Sequence, residues 1–208
     1  MKHIRNTARG CAIGLGALML VGVAGIAAAE ENHGSGEVDV QVAIPAIEEP
    51  GVLAMTVASG STALVEDGST DTVRQFTGEL PTVTVTDTRS AEEIPDDASW
   101  YVIGTSSDFV GDAGQPVIGA GHLGWAPHLV DGGESGLVME GERVDTVMDA
   151  SADDPFGLVD QELLAMAWDS EDVAAEGQWT ANADLFLRTP ATVAPGNYTA
   201  TVTLSLFE

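Results

Sequence analysis

The chain of 208 residues carries 33 acidic residues against 7 basic ones, a formal net charge of −26, with one cysteine and 44% hydrophobic residues. Charge of that sign repels nucleic acid, anionic lipid and polyanionic wall polymers, screened over a Debye length of about 8 Å, which disfavours phosphate-rich partners. The hydrophobic content excludes a solvated acidic tail, and the lone Cys11 excludes a disulfide framework and a thiolate metal site.

Residues 1–29 have the layout of an export signal: Lys2, Arg5 and Arg9 precede an apolar run from Cys11 to Ala28 that ends on Ala27-Ala28-Ala29. A signal-peptide helix cleaved before Glu30 is expected, so no stable membrane span remains in the mature, secreted chain. An uncleaved anchor is the alternative, but this run is rich in Gly and Ala and passes straight into an acidic segment. Cleavage removes three basic residues and no acidic one, which takes the net charge to −29 and leaves four arginines and no lysine. Residues 30–37 form a short polar leader, and residues 38–208 are enough for one domain of ordinary size.

Val38, Val40, Val42 and Ile44 alternate with Asp39, Gln41 and Ala43, predicting a first strand that Pro45 ends. After the Glu49-Pro50-Gly51 turn signal a second strand is expected over Leu53 to Val57, bounded by Ser59-Gly60, and a third short run over Thr62 to Val65. Thr82-Val-Thr-Val-Thr86 reads as a strand because β-branched residues fit a pleated surface and resist helix. Trp100 to Ile103 is a further short strand. The glycine-rich stretch 104–136 is expected to form short strands and loops on the rim, with Trp125, between Gly124 and Pro127, as the exposed aromatic. Residues 154–168 fit either a short helix or a loop leading into a strand over Leu163 to Trp168. Trp179, Ala181, Ala183, Leu185 and Leu187 alternate, and the last strand, from Tyr198, is expected to pair with that one as a hairpin across residues 189–196. It is expected to bury its Tyr198, Val202 and Leu206 side. Closely spaced strands with turn signals between them and no long amphipathic helix predict an all-β fold, an antiparallel immunoglobulin-like β-sandwich with long irregular loops.

Catalytic patterns are sparse. His122 and His128 sit five residues apart on a Gly- and Pro-containing stretch, a spacing that does not by itself present two rings to one metal; His33 lies in the leader. Acidic clusters at Asp67 with Asp71 and at Asp153 with Asp154 are candidate oxygen ligands for calcium, although none has the spacing of a helix-loop-helix calcium site. The expectation is no resident cofactor, with calcium at these clusters as the open alternative. No Gly-x-Ser-x-Gly elbow is present, and Gly104-Thr-Ser-Ser107 lacks its second glycine. The chain is therefore expected not to be an enzyme; a hydrolase working through a carboxylate cluster is the remote alternative. Asn197-Tyr-Thr199 fits a glycan-acceptor sequon and is read as a turn.

Two segments, Leu80-Pro-Thr-Val-Thr-Val-Thr-Asp87 and Pro195-Gly-Asn-Tyr-Thr-Ala-Thr-Val-Thr-Leu-Ser-Leu206, give the chain a family likeness. In order and character they resemble the WxL-domain proteins of Gram-positive bacterial surfaces. Val83, Val85, Asp87, Tyr198 and Leu206 match the family pattern, while Pro81 and Leu204 replace its two namesake tryptophans. The resemblance implies a β-sandwich that attaches non-covalently to the cell wall or joins surface protein assemblies, so the partners expected are cell-wall glycan or other surface proteins. Trp125, His122 and His128 are the candidate contacts from the loop, and Asp87 and Tyr198 from the family-matching strands. Self-association through an edge strand, as in a pilin-like or surface-layer-like subunit, is the alternative, with the final strand as donor.

Overall fold

The computed structural model describes residues 36, 37, 39, 41–44, 49–149 and 156–208. The predicted signal peptide and most of the leader lie outside the described residues, as do Asp153 and Asp154. The chain divides into two units at Ala46/Ile47. Of the first, Gln41 to Ile44 belong to no strand and are exposed, so the first strand expected over Val38 to Ile44 is not formed there. Alternation equips a segment for a sheet edge, but an isolated strand has nothing to pair with.

The second unit is an antiparallel all-β body. Its strands are β1 (Leu53–Val57), β2 (Val65–Glu66), β3 (Val73–Glu79), β4 (Val83–Asp87), β5 (Trp100–Ser106), β6 (Val110–Gly111), β7 (Leu123–Asp131), β8 (Val138–Glu140), β9 (Glu162–Ala167), β10 (Gln178–Pro190), β11 (Tyr198–Thr199) and β12 (Val202–Phe207), with one short helix, α1 (Ser170–Val173). One sheet runs β1-β4-β10-β3-β2 with β7 on the other edge of β10; the second runs β12-β5-β9-β8; β6 and β11 form a separate ribbon.

The long strand β10 organises the first sheet. Its C-terminal half pairs with β3 and its N-terminal end with β4, so β3 and β4 lie end to end along one edge. Glu79 opposes Asp184 and Val83 opposes Ala181, which leaves one more residue on the β3–β4 side: a bulge at Leu80-Pro81-Thr82. Proline, having no N–H to give a ladder, is tolerated at such a break.

Facing side chains of the two sheets form the core, with Val83, Val85, Trp100, Val102, Leu123, Trp125, Leu164 and Trp179 all buried. Trp100 and Trp179 meet with ring centroids 5.2 Å apart, at a tilt of 37°. On one side the sheets are laced together: Trp125 and Val144 exchange backbone hydrogen bonds of 3.1 and 2.9 Å, Leu158 N donates to Leu123 O at 2.9 Å, and Ser106 N donates to Leu158 O at 2.8 Å. On the opposite side the β1 and β2 edge faces the β12 edge, with no strand between them among the described residues. The result is a curled half-barrel, a sandwich closed along one side.

Two expectations are corrected. Residues 123–131 are a nine-residue strand against β10, not rim loops. Its glycine and proline misled for physical reasons. A Cβ at Gly124 would fall 2.3 Å from the Phe186 ring, so this glycine is there for close packing, and Pro127 is tolerated because the far edge of β7, bonded at Leu123 and Trp125, carries no ladder at Pro127 among the described residues. The last two long strands do not form a hairpin either: β12 pairs with β5 in the other sheet, and residues 191–201 cross between the sheets by way of the β11–β6 ribbon. Apolar groups of this crossover, Val193 and Tyr198, pack on the core from the open side.

Gly104 gives a first test. In mid-β5 its missing Cβ would stand 2.6 Å from Trp125 Cη2 and 3.1 Å from a Leu204 methyl. Gly104→Ala forces a fully buried indole to move, and a loss of about 1–3 kcal/mol is expected, read as a lower urea midpoint with an unchanged m-value.

Candidate functional site: an apolar cleft at the open side

The open side of the half-barrel is fastened at one end and unfilled at the other. The fastening is Arg89, whose guanidinium grips two carboxylates: Nε and Nη2 donate to Asp87 at 2.9 and 2.7 Å, and Nη1 and Nη2 donate to Glu208 at 2.8 and 2.7 Å. It ties the end of β4 to the last residue of the chain. Burial pushes the Asp87 carboxyl up, but its hydrogen bonds from the Arg89 side chain and backbone outweigh that and hold it below the usual carboxylate range. Arg89 is raised in turn, chiefly by its bonds to Asp87 and then to Glu208. Asp87, expected as a binding residue, is thus buried and committed to an internal clasp.

At the other end lies a cavity of about 570 Å³. Leu64, Phe76, Leu187, Val193, Tyr198 and Val202 supply its apolar walls, from β3 and β10 on one side and the crossover and β12 on the other. Tyr198 holds the crossover in place by donating its hydroxyl to Ala194 O at 2.9 Å, and Asn197 Nδ2 donates to Asp112 Oδ2 at 2.9 Å. Tyr198 is thus the one family-matching candidate that the fold carries to the cleft. The walls include no Asp, Glu, His, Ser or Cys.

Polar groups at the cleft are few. Arg74 is held bidentately by Glu66 at 3.0 and 2.7 Å, and the bonds from Arg74, then from Ser69, lower the exposed Glu66 carboxyl to about 2. Thr189 lines the cleft, is 1% exposed, and its Oγ1 has no hydrogen-bond partner. An unpaired buried hydroxyl costs about 1–3 kcal/mol, so Thr189→Val is expected to raise the thermal midpoint by roughly the equivalent of 1 kcal/mol in the free protein.

The other sequence candidates do not assemble. Trp125 is fully buried at the centre of β7 and cannot meet a ligand, which corrects its reading as an exposed loop aromatic. His122 Nδ1 donates to Arg188 O at 2.6 Å, while half-buried His128 lies well along β7, six residues and about 20 Å of extended chain away. Asp67 and Asp71 are exposed, and the Asp67 carbonyl accepts from Gln75 Nε2 at 3.0 Å. Among the described residues no group of three or more His, Cys, Asp or Glu is gathered as metal ligands. Ser106 is buried and spends its hydroxyl on Ser107 O at 2.9 Å. Each of the four arginines beyond residue 30 is paired with a carboxylate of the same chain.

No family model matches the chain, and neither the curated proteins nor the solved structures contain a match. The cleft itself was beyond sequence reasoning, because it arises from residues 191–201 leaving one sheet for the other. The exposed tryptophan was missed as well. Trp168 follows β9 directly, is 67% exposed, and its Nε1 donates to Met139 Sδ at 3.0 Å. A signal was present: Trp168 is followed at once by Asp169-Ser170-Glu171-Asp172, a helix-capping run that marks the end of a strand.

Proposed function

We propose that this chain is a secreted, non-catalytic module of the cell surface that works by contact, its open-sided cleft receiving an apolar segment of a surface protein. The observation that carries this reading is a largely apolar cavity of about 570 Å³ between two sheet edges that are unpaired among the described residues, its walls holding no Asp, Glu, His, Ser or Cys. Apolar walls next to a free edge suit an extended peptide, whose main chain pairs with the edge while alternate side chains fill the cleft. The signal-like residues 1–29 and the likeness to WxL-domain proteins agree with work outside the membrane. A hydrolase has no support from this cleft, since a carboxylate mechanism needs an acid within reach of the substrate.

The test is fractionation of the producing cells. Mature protein starting at Glu30 is expected in the surface fraction, released by chaotrope without digestion of the wall. Protein found wholly in the medium, or retained inside the cell with residues 1–29 intact, contradicts the proposal.

A second reading rests on Trp168. Its exposed indole, beside the half-exposed Leu137 and Met139, offers a face on which a neutral sugar ring can stack. Binding of soluble wall glycan that is lost in Trp168→Ala and kept in a cleft variant would favour it.

A further inference from the structure

We infer that the cleft selects a tyrosine side chain of the incoming segment, its phenol hydroxyl bonding Thr189 Oγ1 on the cleft floor. The inference rests on the contact reading above and names the side chain that the contact recognises.

Thr189 belongs to the cleft by register. It stands opposite Arg74 in the β10–β3 ladder, with Leu187 opposite Phe76 and Leu185 opposite Gly78. Opposed residues share a face of a sheet, and residues two apart along a strand share it too, so these positions present one surface. Leu185, Leu187, Thr189, Arg74 and Phe76 all line the cavity. Gly78 leaves room for Leu64, since a Cβ there would fall 2.7 Å from Leu64 Cδ2. The floor is thus leucine and phenylalanine with one buried hydroxyl among them.

Other polar groups about the cleft are occupied. The Tyr198 hydroxyl donates to Ala194 O, Asn197 Nδ2 to Asp112 Oδ2, Gln115 Nε2 to Pro195 O at 3.3 Å, and the Arg74 guanidinium to Glu66. Of the buried side-chain polar atoms that lack a partner among the described residues, Thr189 Oγ1 is the one at the cleft. Valine would fill the same space without the cost of an unpaired hydroxyl. A hydroxyl kept at the expense of stability in an apolar site separates ligands that can pair with it from those that cannot.

The walls decide what carries the pairing group. At about 570 Å³ the cavity lies within the range of roughly 300–1,000 Å³ typical of ligand pockets, with room for an aromatic ring. A Lys or Arg tip would enter a site whose walls hold no carboxylate, and an Asp or Glu tip would compete for Arg74 with Glu66, which already holds it by two bonds. The tip is therefore uncharged. Serine, threonine and the amides bring little apolar surface to Phe76, Leu187 and Val193, whereas tyrosine joins a ring to a polar end. Its hydroxyl both donates and accepts, so it answers either role of Thr189, and an indole N–H only donates.

The test removes one oxygen atom from each partner in turn. The mature chain, from Glu30 to Glu208, and its Thr189→Val and Thr189→Ser variants are titrated with p-cresol and with toluene, the side-chain fragments of tyrosine and phenylalanine. Amide NMR shifts report binding, and nuclear Overhauser contacts to the Leu187 and Val193 methyls locate the ring. Both fragments are expected to enter the wild-type cleft. The ratio of p-cresol to toluene affinity is expected to fall roughly tenfold from wild type to Thr189→Val, and to be largely kept in Thr189→Ser, which retains the hydroxyl. The pentapeptide acetyl-Thr-Val-Tyr-Val-Thr-amide and its phenylalanine counterpart should show the same change. Failure of both fragments to bind, a ring placed away from Leu187, or a ratio that Thr189→Val leaves unaltered overturns the inference. Fragments that discriminate while neither pentapeptide binds would assign the site to a free phenolic molecule and overturn it too. Failure here with surface retention intact leaves the proposed function standing; preference for the phenol in a protein found wholly in the medium does the reverse.

Discussion

Trp125→Ala is expected to lower the stability of the mature chain by about 3–5 kcal/mol, the cost of removing a fully buried aromatic side chain from a close-packed core. Trp125 is 0% exposed, lies opposite Leu185 in the β7–β10 ladder, and meets Val144 across its other edge. Its indole also fills the space left by Gly104. The loss should appear as a lower urea midpoint, detected by circular dichroism so that the readout does not depend on the deleted fluorophore. Trp168→Ala is the control. At 67% exposure it is expected to change stability by no more than about 0.5 kcal/mol. Equal effects from the two substitutions would refute the assignment of β7 to the core.

Arg89→Ala is expected to cost about 3–5 kcal/mol near neutral pH, because it leaves the Asp87 carboxylate, whose side chain is 0% exposed, without its guanidinium and with the backbone N–H of residue 89 as its remaining donor. Arg89→Lys should recover only part of this, since an ammonium cannot grip two carboxylates with a planar fork. Glu208→Gln removes a partner that is 25% exposed and should cost roughly 1 kcal/mol or less. The pH dependence has a definite sign. The folded Asp87 carboxyl is held below its unfolded value, so its contribution is full above an unfolded pKa of about 3.9 and is lost as pH falls through the lower folded value. In Arg89→Ala the same carboxyl is buried without its guanidinium, so burial raises it and the penalty is relieved by protonation. Denaturation at a series of pH values should therefore show the gap between wild type and variant narrowing as pH falls, first as the variant's raised carboxyl protonates above about pH 4 and then as the wild-type one does below it. A constant gap would mean that Asp87 is not what Arg89 stabilises.

The fold was legible wherever a strand has one face in the core and turn residues at its ends. β1 and β4 stand within a residue of where alternation places them, and the run from Trp179 to Leu187 lies inside β10. Trp100 to Ile103 opens β5, and the strand alternative for residues 163–168 is realised as β9. Legibility failed where a residue's local meaning differed from its packing role. Gly124 and Pro127 read as loop punctuation, yet the first admits the Phe186 ring and the second sits where the far edge of its strand carries no ladder among the described residues. Gln41 to Ile44 fail in the opposite way: the alternation is that of a strand, but a pattern cannot supply the neighbour that makes one. Among the candidate site residues, Asp87 and Tyr198 have marked positions, one as the buried end of the Arg89 clasp and the other as a cleft wall. His122 and His128 are near each other in sequence alone, because an extended strand carries them apart. The cleft comes from the crossover between sheets, a long-range choice that no local window records.

Fractionating cells that produce either Val193→Asp or Trp168→Ala puts the central claim, that this molecule works through its open side, to the most direct test. If so, Val193→Asp leaves the surface fraction for the medium while the purified variant still unfolds cooperatively from a folded state, and Trp168→Ala stays where wild type does. Val193→Asp retained at the surface as fully as wild type, with Trp168→Ala released instead, would contradict that claim and move the function to the indole at the far edge of the second sheet.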